Sequence, residues 1–255
     1  MMRASTIFFA GLLSFLLVGQ AFAVDDLDDQ LERADELRQA GEFEEGLEFL
    51  KSMREEHPEN VEVLWRLSRI MVDRAMLLEE GSDEQKALYL DAVPVAEAAI
   101  DADPEHSWAH LSLAIAAGRA GLVSGTRDRV RLSRTVKEHA DKAIEYDAEN
   151  DLAYHVRGRW NHEVASLGWA ARTIVRAIYG GLPDASFEQG AADLRQAIDL
   201  KDRIVHRMEL GRTLIELDQK EEAREHLRAA IQMRENDPMD FRYKEQAHEL
   251  LMSIR

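Results

Sequence analysis

The chain ends a helix four times with the same small-residue pattern: Ala98-Ala99-Ile100, Lys142-Ala143-Ile144, Gln196-Ala197-Ile198 and Ala229-Ala230-Ile231. Each copy also has Ala or Leu one helical turn before its central Ala, on the same helix face. Small Ala side chains let neighbouring helices approach closely, and a unit that cannot bury its own apolar stripe must stack on the next. The pattern therefore predicts an all-α fold, built as a solenoid of antiparallel helix pairs.

The first helix pair has the features of a tetratricopeptide repeat (TPR). Gly41-Glu42-Phe43 forms the expected turn, Gly46 supplies a small residue in the second helix, and Pro58 follows that helix. Such a repeat occupies about 34 residues. The central alanines of the repeated pattern are 44, 54 and 33 residues apart, so only the last interval has this length. We expect extra loops or helices in the other two intervals.

The N-terminal residues differ from the rest of the chain. Arg3 precedes an apolar run from Ile7 to Gly19, and Ala21 and Ala23 are small residues at the positions that specify signal-peptide cleavage. We therefore expect a signal peptide at 1–23, an acidic and partly disordered leader at 24–30, and a TPR-like domain at 31–255. The chain has no cysteine, so it would enter an oxidising compartment without forming disulfides. We expect that compartment to be a bacterial periplasm.

The net charge of −17 is unevenly distributed along the sequence. Residues 24–115 contain 25 acidic and 8 basic residues, whereas residues 116–178 contain 8 acidic and 11 basic residues. The overall charge disfavours nucleic acid as a partner, because phosphates would be repelled. We expect a protein or peptide partner, and this partner can be acidic because the middle third of the chain is basic. We expect no stable membrane insertion once the signal peptide is removed.

The arginines of the middle third form the candidate binding site. An arginine guanidinium pairs with a carboxylate through two parallel hydrogen bonds, so this set could hold an acidic peptide segment or a C-terminal carboxylate on the concave face of the solenoid. The alternative is internal pairing with the acidic N-terminal repeats. The candidate residues are Arg127, Arg131, Arg134, Arg157, Arg159, Arg172 and Arg176.

We predict no catalytic residues, no cofactor and no metal, and therefore a protein that is not an enzyme. The sequence lacks a Gly-x-Ser-x-Gly elbow, and Gly121-Leu122-Val123-Ser124-Gly125 lacks the Lys of a phosphate loop. His106 and His110 are four residues apart, which is metal-ligand spacing on a helix, but no third ligand is evident nearby. A metal-dependent enzyme using these two histidines is the third-ranked alternative.

Several segments in a fixed order resemble the regulator of microtubule dynamics family of TPR-like proteins. They are residues 57–69, Lys137-Glu138-His139 leading to Ile144, Gly158-Arg159-Trp160, and residues 183–189. The resemblance covers about residues 57–251 and implies an all-helical stack that mediates protein contacts. In animal members it also implies association with microtubules or tethering at membranes. The first-ranked function is an exported binding scaffold, and the second is a membrane tether that keeps its N-terminal segment.

Overall fold

The computed structural model describes the backbone of residues 18–254 and the side chains of residues 27–254. Residues 1–17 of the expected signal peptide therefore lie outside the described part of the chain. Within residues 18–254 the fold consists of helices without a strand, which confirms the predicted all-α class. The helices are α1 Val18–Ala40, α2 Phe43–Glu56, α3 Val61–Ala75, α4 Asp83–Ala102, α5 Ser107–Val123, α6 Thr126–Tyr146, α7 Asp151–Ala165, α8 Trp169–Tyr179, α9 Phe187–Leu200, α10 Ile204–Glu216, α11 Lys220–Gln232 and α12 Asp240–Ser253.

Successive helices pack against each other along the whole stack, with one exception. Helix α7 packs against α9, while α8 packs only against α6 among the described helices. The long interval between Ala143 and Ala197 therefore contains an extra helix that lies outside the regular pairing. None of the helices in residues 18–254 combines the length and the apolar composition needed to cross a membrane.

The sequence signals at the helix ends have direct structural counterparts. The Asn60 side chain accepts hydrogen bonds from the backbone N–H groups of Glu62 and Val63 at 2.9 and 3.2 Å, so it caps α3. Ser186 accepts from the N–H of Gln189 at 3.1 Å, so it caps the start of α9. These side chains satisfy N–H groups that the first helical turn leaves unpaired.

One local expectation was wrong. The acidic leader at 24–30 lies within α1, and Leu27 packs against the N-terminal core, so this part of the segment is helical rather than disordered. Gly118 and Gly121 lie inside α5, which continues to Val123. At both glycines a Cβ would lie 3.7–3.8 Å from a side chain of α6, so these small residues serve close helix packing.

The C-terminal part of the stack returns to the first repeat. Met239, just before α12, is buried in the same apolar cluster as Leu31 and Leu50 of the first two helices. An Nη of Arg38 in α1 lies 3.1 Å from an Oδ of Asp237. The two ends of the stack are therefore in contact, and the inner helices enclose a central space.

Candidate functional site

The central space is a cavity of about 1370 Å³. We call it the central cavity. Its walls come mainly from α1, α3, α5 and α7, with contributions from α6, α8 and the segment around α12. Apolar residues such as Ile115, Val156 and Trp160 line it together with several charged side chains. Small-molecule pockets commonly measure about 300–1,000 Å³, so this cavity is large enough for a bulkier ligand.

Helix α5 contains no Asp, Glu or Lys and a single arginine, Arg119, which lines the central cavity. In the described part of the chain its guanidinium has neither a carboxylate within 4 Å nor a hydrogen-bond acceptor, in contrast to most arginines of the cavity. Burial and the neighbouring Arg159 guanidinium lower the pKa of Arg119. A half-buried cation without a partner is costly, so this position is suited to an anionic group from a ligand.

Arg159 and Tyr243 extend this polar part of the wall. The Nε of Arg159 lies 3.5 Å from an Oε of Glu209, and this carboxylate raises the pKa of Arg159. Burial raises the pKa of Tyr243, which keeps its hydroxyl neutral and able to donate. Arg119, Arg159 and Tyr243 thus supply two guanidinium groups and a hydroxyl on three different helices facing one cavity.

Other arginines of the cavity are already paired. The Nε of Arg38 is 2.7 Å from an Oδ of Asp73, and the Nε of Arg69 is 3.4 Å from the same carboxylate. Arg66 lies 2.9 Å from Asp35 and also contacts Glu62. These pairs hold α1 and α3 together and leave less positive charge for a ligand than at Arg119.

An aromatic pair forms another part of the wall. The rings of Trp65 and Trp108 stack with centroids 5.1 Å apart. Glu62 accepts hydrogen bonds from His106 and from the Trp65 indole, each at 2.9 Å. The bond from His106 is the main reason why the pKa of Glu62 falls to about 2, with Trp65 and Arg66 adding to it against the effect of burial. This network fixes the indole of Trp65 at the cavity.

The predicted binding arginines lie in different environments, and only Arg159 among them lines the central cavity. Arg157 binds Asp193 through two nitrogens at 2.6 and 3.1 Å, and Asp141 at 3.3 Å. Arg131 pairs with Asp128 at 3.4 Å. The internal partners therefore lie in the middle and C-terminal repeats, not in the acidic N-terminal repeats that the alternative proposed.

Arg134 and Arg172 bind backbone carbonyl groups at the two ends of α8. The Nε of Arg134 donates to the carbonyl of Gly181 at 3.0 Å, and that of Arg172 donates to Leu167 at 2.8 Å. Arg127 and Arg176 are exposed and have no ion pair within the described residues. The predicted set thus contains arginines that bind carboxylates or carbonyl groups of the chain itself, one arginine that lines the cavity, and two exposed arginines.

Arg119 is missing from the predicted set because it precedes the run of arginines that begins at Arg127. A signal was present, since this residue is the single Asp, Glu, Lys or Arg within the Ala-rich sequence of α5. One charge in an otherwise apolar helix indicates either a buried pair or a ligand contact. Only the arrangement of neighbouring helices shows that, within the described residues, no carboxylate pairs with it.

The two histidines at metal-ligand spacing have other roles. The Nδ1 of His106 accepts from the N–H of Ala109 at 3.3 Å and caps α5, while its Nε2 contacts Glu62. His110 lies 2.8 Å from His139, between ring Nδ1 atoms, and contacts the carbonyl of Pro104 at 2.9 Å. No group of three or more His, Cys, Asp or Glu residues suited to a metal occurs in residues 18–254.

The sequence profile of "Regulator of microtubule dynamics protein 1-3" matches residues 30–255. The chain belongs to this family. Regulator of microtubule dynamics protein 1 of Bos taurus is 29% identical over 207 residues, which cover 80% of this chain and 65% of the bovine protein. Protein 3 of Rattus norvegicus is 29% identical over 214 residues, covering 82% of this chain and 45% of the rat protein. The chain thus spans less than two thirds of either relative.

A solved structure confirms the TPR-like architecture of this family member. The crystal structure of a thermophilic TPR protein of Thermus thermophilus superposes with a TM-score of 0.63 at 16% identity, covering 88% of this chain and 98% of that one. At this identity the likeness establishes the fold alone.

Proposed function

We propose that the protein is a non-enzymatic scaffold whose central cavity, on the concave side of the stack, binds an acidic segment of a partner protein. Arg119 carries this proposal, because a half-buried guanidinium without an internal carboxylate among the described residues leaves a site for an external one. Arg159 and Tyr243 contribute further donors to the same ligand group. The apolar side chains and Trp65 provide contacts for the remainder of the segment.

The experiment measures binding of a fluorescein-labelled oligoglutamate peptide by fluorescence anisotropy, with its C-terminus either free or amidated. Arg119→Met should weaken binding by about tenfold or more, since a hydrogen bond to a charged group contributes roughly 1.5–3 kcal/mol. Arg127→Met is the matched control, because Arg127 is exposed and outside the cavity. Equal losses in both variants would indicate only general charge attraction and would refute the cavity as the binding site.

The free and amidated peptides separate two forms of the ligand. A preference for the free C-terminus indicates that Arg119 and Arg159 hold a terminal carboxylate, whereas equal binding indicates side-chain carboxylates. No binding of either peptide at low ionic strength would contradict an acidic ligand. Substitution of Arg119 itself should leave the helical circular dichroism unchanged, because it breaks no ion pair within the described residues.

We also propose that the chain is exported to a bacterial periplasm after cleavage behind Ala23. The support is the sequence alone: Arg3, the apolar run from Ile7 to Gly19, the small residues before the cleavage point and the lack of cysteine. Mass spectrometry of the mature protein tests this proposal. An N-terminus at Val24 supports it, whereas a retained N-terminal segment favours the alternative of a membrane tether.

A further inference from the structure

Helix α8 is amphipathic, and its apolar side faces the central cavity. Ala171 and Val175 line the cavity. Ile174 and Ile178 lie beside them on the helix surface, because residues three and four positions apart are neighbours on one side of a helix. The opposite side carries polar residues such as Arg176. We call the four apolar residues on the cavity side the α8 stripe.

The described part of the chain leaves the α8 stripe uncovered. No side chain of α8 is buried, and Ile174 is 53% and Ile178 66% exposed. The apolar side of an amphipathic helix normally packs against another element, and a helix of 11 residues has little stability in water without such packing. Among the described helices α8 packs only against α6. The α8 stripe is therefore free to contact a ligand of the central cavity.

The apolar surface continues from α8 along the cavity wall towards Arg119. Val164 and Leu167, which precede α8, line the cavity. Leu122 near the end of α5 also lines it and is 62% exposed. Arg119 lies three residues before Leu122, so the two residues share one side of α5. A ligand whose anionic group reaches the half-buried Arg119 would therefore have apolar side chains beside it at the rim of the cavity.

The charge around the α8 stripe favours an acidic segment as the occupant. Residues 107–127 and 164–183 both contribute to the cavity wall, and neither range contains Asp or Glu. Two copies of this chain joined at the rim would bring Arg172 and Arg176 of each copy together, which disfavours a second copy. Because Ile178 is largely exposed, an occupant that covers it also extends out of the cavity, as a segment of a larger partner would.

We propose that the α8 stripe binds apolar side chains of the acidic segment, so that the ligand is a peptide with apolar residues next to its carboxylates. This inference rests on the proposed function. Arg119 binds a carboxylate of the segment, while Ile174 and Ile178 pack against the apolar side chains beside it. Positive charge attracts every acidic segment, so the apolar contact decides which of them binds tightly. Ile174 and Ile178 are therefore specificity-determining residues.

The test compares two fluorescein-labelled peptides of equal length and equal charge by fluorescence anisotropy with the full chain. One peptide has leucine between its glutamates, and the other has serine. The leucine peptide should bind wild type at least about tenfold more tightly, because its leucines become buried at the α8 stripe. Ile174→Gln combined with Ile178→Gln should remove most of this advantage and leave the affinity for the serine peptide within about twofold of wild type. Glutamine preserves helix propensity and adds no charge.

Leu90→Gln combined with Met252→Gln is the matched control, since Leu90 is 47% and Met252 42% exposed and neither residue lines the cavity. This control should keep the full preference for the leucine peptide. Equal binding of the two peptides to wild type would overturn the proposal, as would an equal loss in both double variants. Tighter binding of the serine peptide by the α8 variant would also overturn it, because α8 would then close the cavity itself. A dimer of wild type that the α8 variant loses, measured by sedimentation equilibrium, would identify a second copy as the occupant instead.

Arg119→Met separates this proposal from the proposed function. If Arg119→Met binds the serine peptide as tightly as wild type does, the acidic site in the cavity is refuted. If Arg119→Met weakens that binding but the α8 variant keeps the preference for leucine, only the role of the α8 stripe is refuted.

A single thiol gives a direct measure of contact at the rim. The chain has no cysteine, so Ile178→Cys introduces the one thiol of the protein. A saturating concentration of the leucine peptide should slow the reaction of this thiol with a maleimide severalfold, because the bound peptide covers it. Leu90→Cys is the control, and its reaction rate should stay the same. An unchanged rate in Ile178→Cys would show that the peptide does not cover the α8 stripe and would overturn the proposal.

Discussion

The approach of α7 and α9 provides a sharp test of packing, because Gly158 has no room for a larger side chain. A Cβ at this position would lie 2.8 Å from Leu194 Cγ, 3.0 Å from the carbonyl oxygen of Gly190 and 3.2 Å from Asp193 Cβ. Leu194 is fully buried, and the carbonyl belongs to a helix backbone, so neither can move aside cheaply. Overpacking of this kind costs typically about 1–3 kcal/mol.

Gly158→Ala also gains about 1 kcal/mol of helix propensity, which offsets part of that cost. We therefore expect a net loss in the free energy of unfolding of up to about 2 kcal/mol. The matched control is Gly118→Ala, where the nearest atom to the new Cβ is Val136 Cγ2 at 3.7 Å, an ordinary contact. This substitution should gain about 0.5–1 kcal/mol, because it removes the same backbone freedom without a clash.

Urea denaturation followed by circular dichroism measures both changes, with the midpoint shifting while the slope stays constant. The two variants should move in opposite directions from wild type. If Gly158→Ala were as stable as Gly118→Ala, the close approach of α7 and α9 would be refuted. A loss in both variants would instead refute the argument from helix propensity.

Three further predictions concern charged and titrating groups. The pKa of His139 is lowered to about 4 by burial and by the neighbouring His110, whereas it is about 6.5 in an unfolded chain. Its contribution to stability is therefore complete above pH 6.5 and is lost as the pH falls towards 4. Urea midpoints should fall over this range, and less so in His139→Gln. Arg119→Met should raise the free energy of unfolding by about 1 kcal/mol, because it removes an unpaired half-buried charge; a lower thermal midpoint would contradict this. Arg157→Met should lower the free energy of unfolding by about 2 kcal/mol, since it removes the cation from the largely buried Asp193 and leaves the Asn161 amide as its remaining side-chain donor. Arg131→Met, which removes an exposed pair, should change it by less than about 0.5 kcal/mol in the same urea assay.

The sequence predicts the helices well because their signals are local. The turn expected at Gly41-Glu42-Phe43 and the end of α2 before Pro58 agree with the structure, because glycine and proline act on the backbone next to them. The extra helix expected between Ala143 and Ala197 is α8. Apolar periodicity and capping residues carry this information without reference to the rest of the chain.

The candidate site could not be predicted in the same way, because it depends on how far the stack curves. Arg38 and Asp237 are separated by 199 positions in the sequence, and nothing local indicates that they meet. The same curvature decides that Arg119 faces an enclosed space without a carboxylate beside it among the described residues. The arginine count of the middle third indicated a charged region, but it could not distinguish internal ties such as Arg157 from a cavity residue such as Arg159.

The contact between the two ends of the stack changes how the protein should open. In a linear array of repeats each unit touches only its neighbours, so the terminal units fray first and independently. Here the burial of Met239 in the first repeat and the pairing of Arg38 with Asp237 make the two termini support each other. Hydrogen exchange should then show the first and last repeats opening together as one unit. The contact between them is small, so it can separate and open the wall of the central cavity while the rest of the stack stays folded.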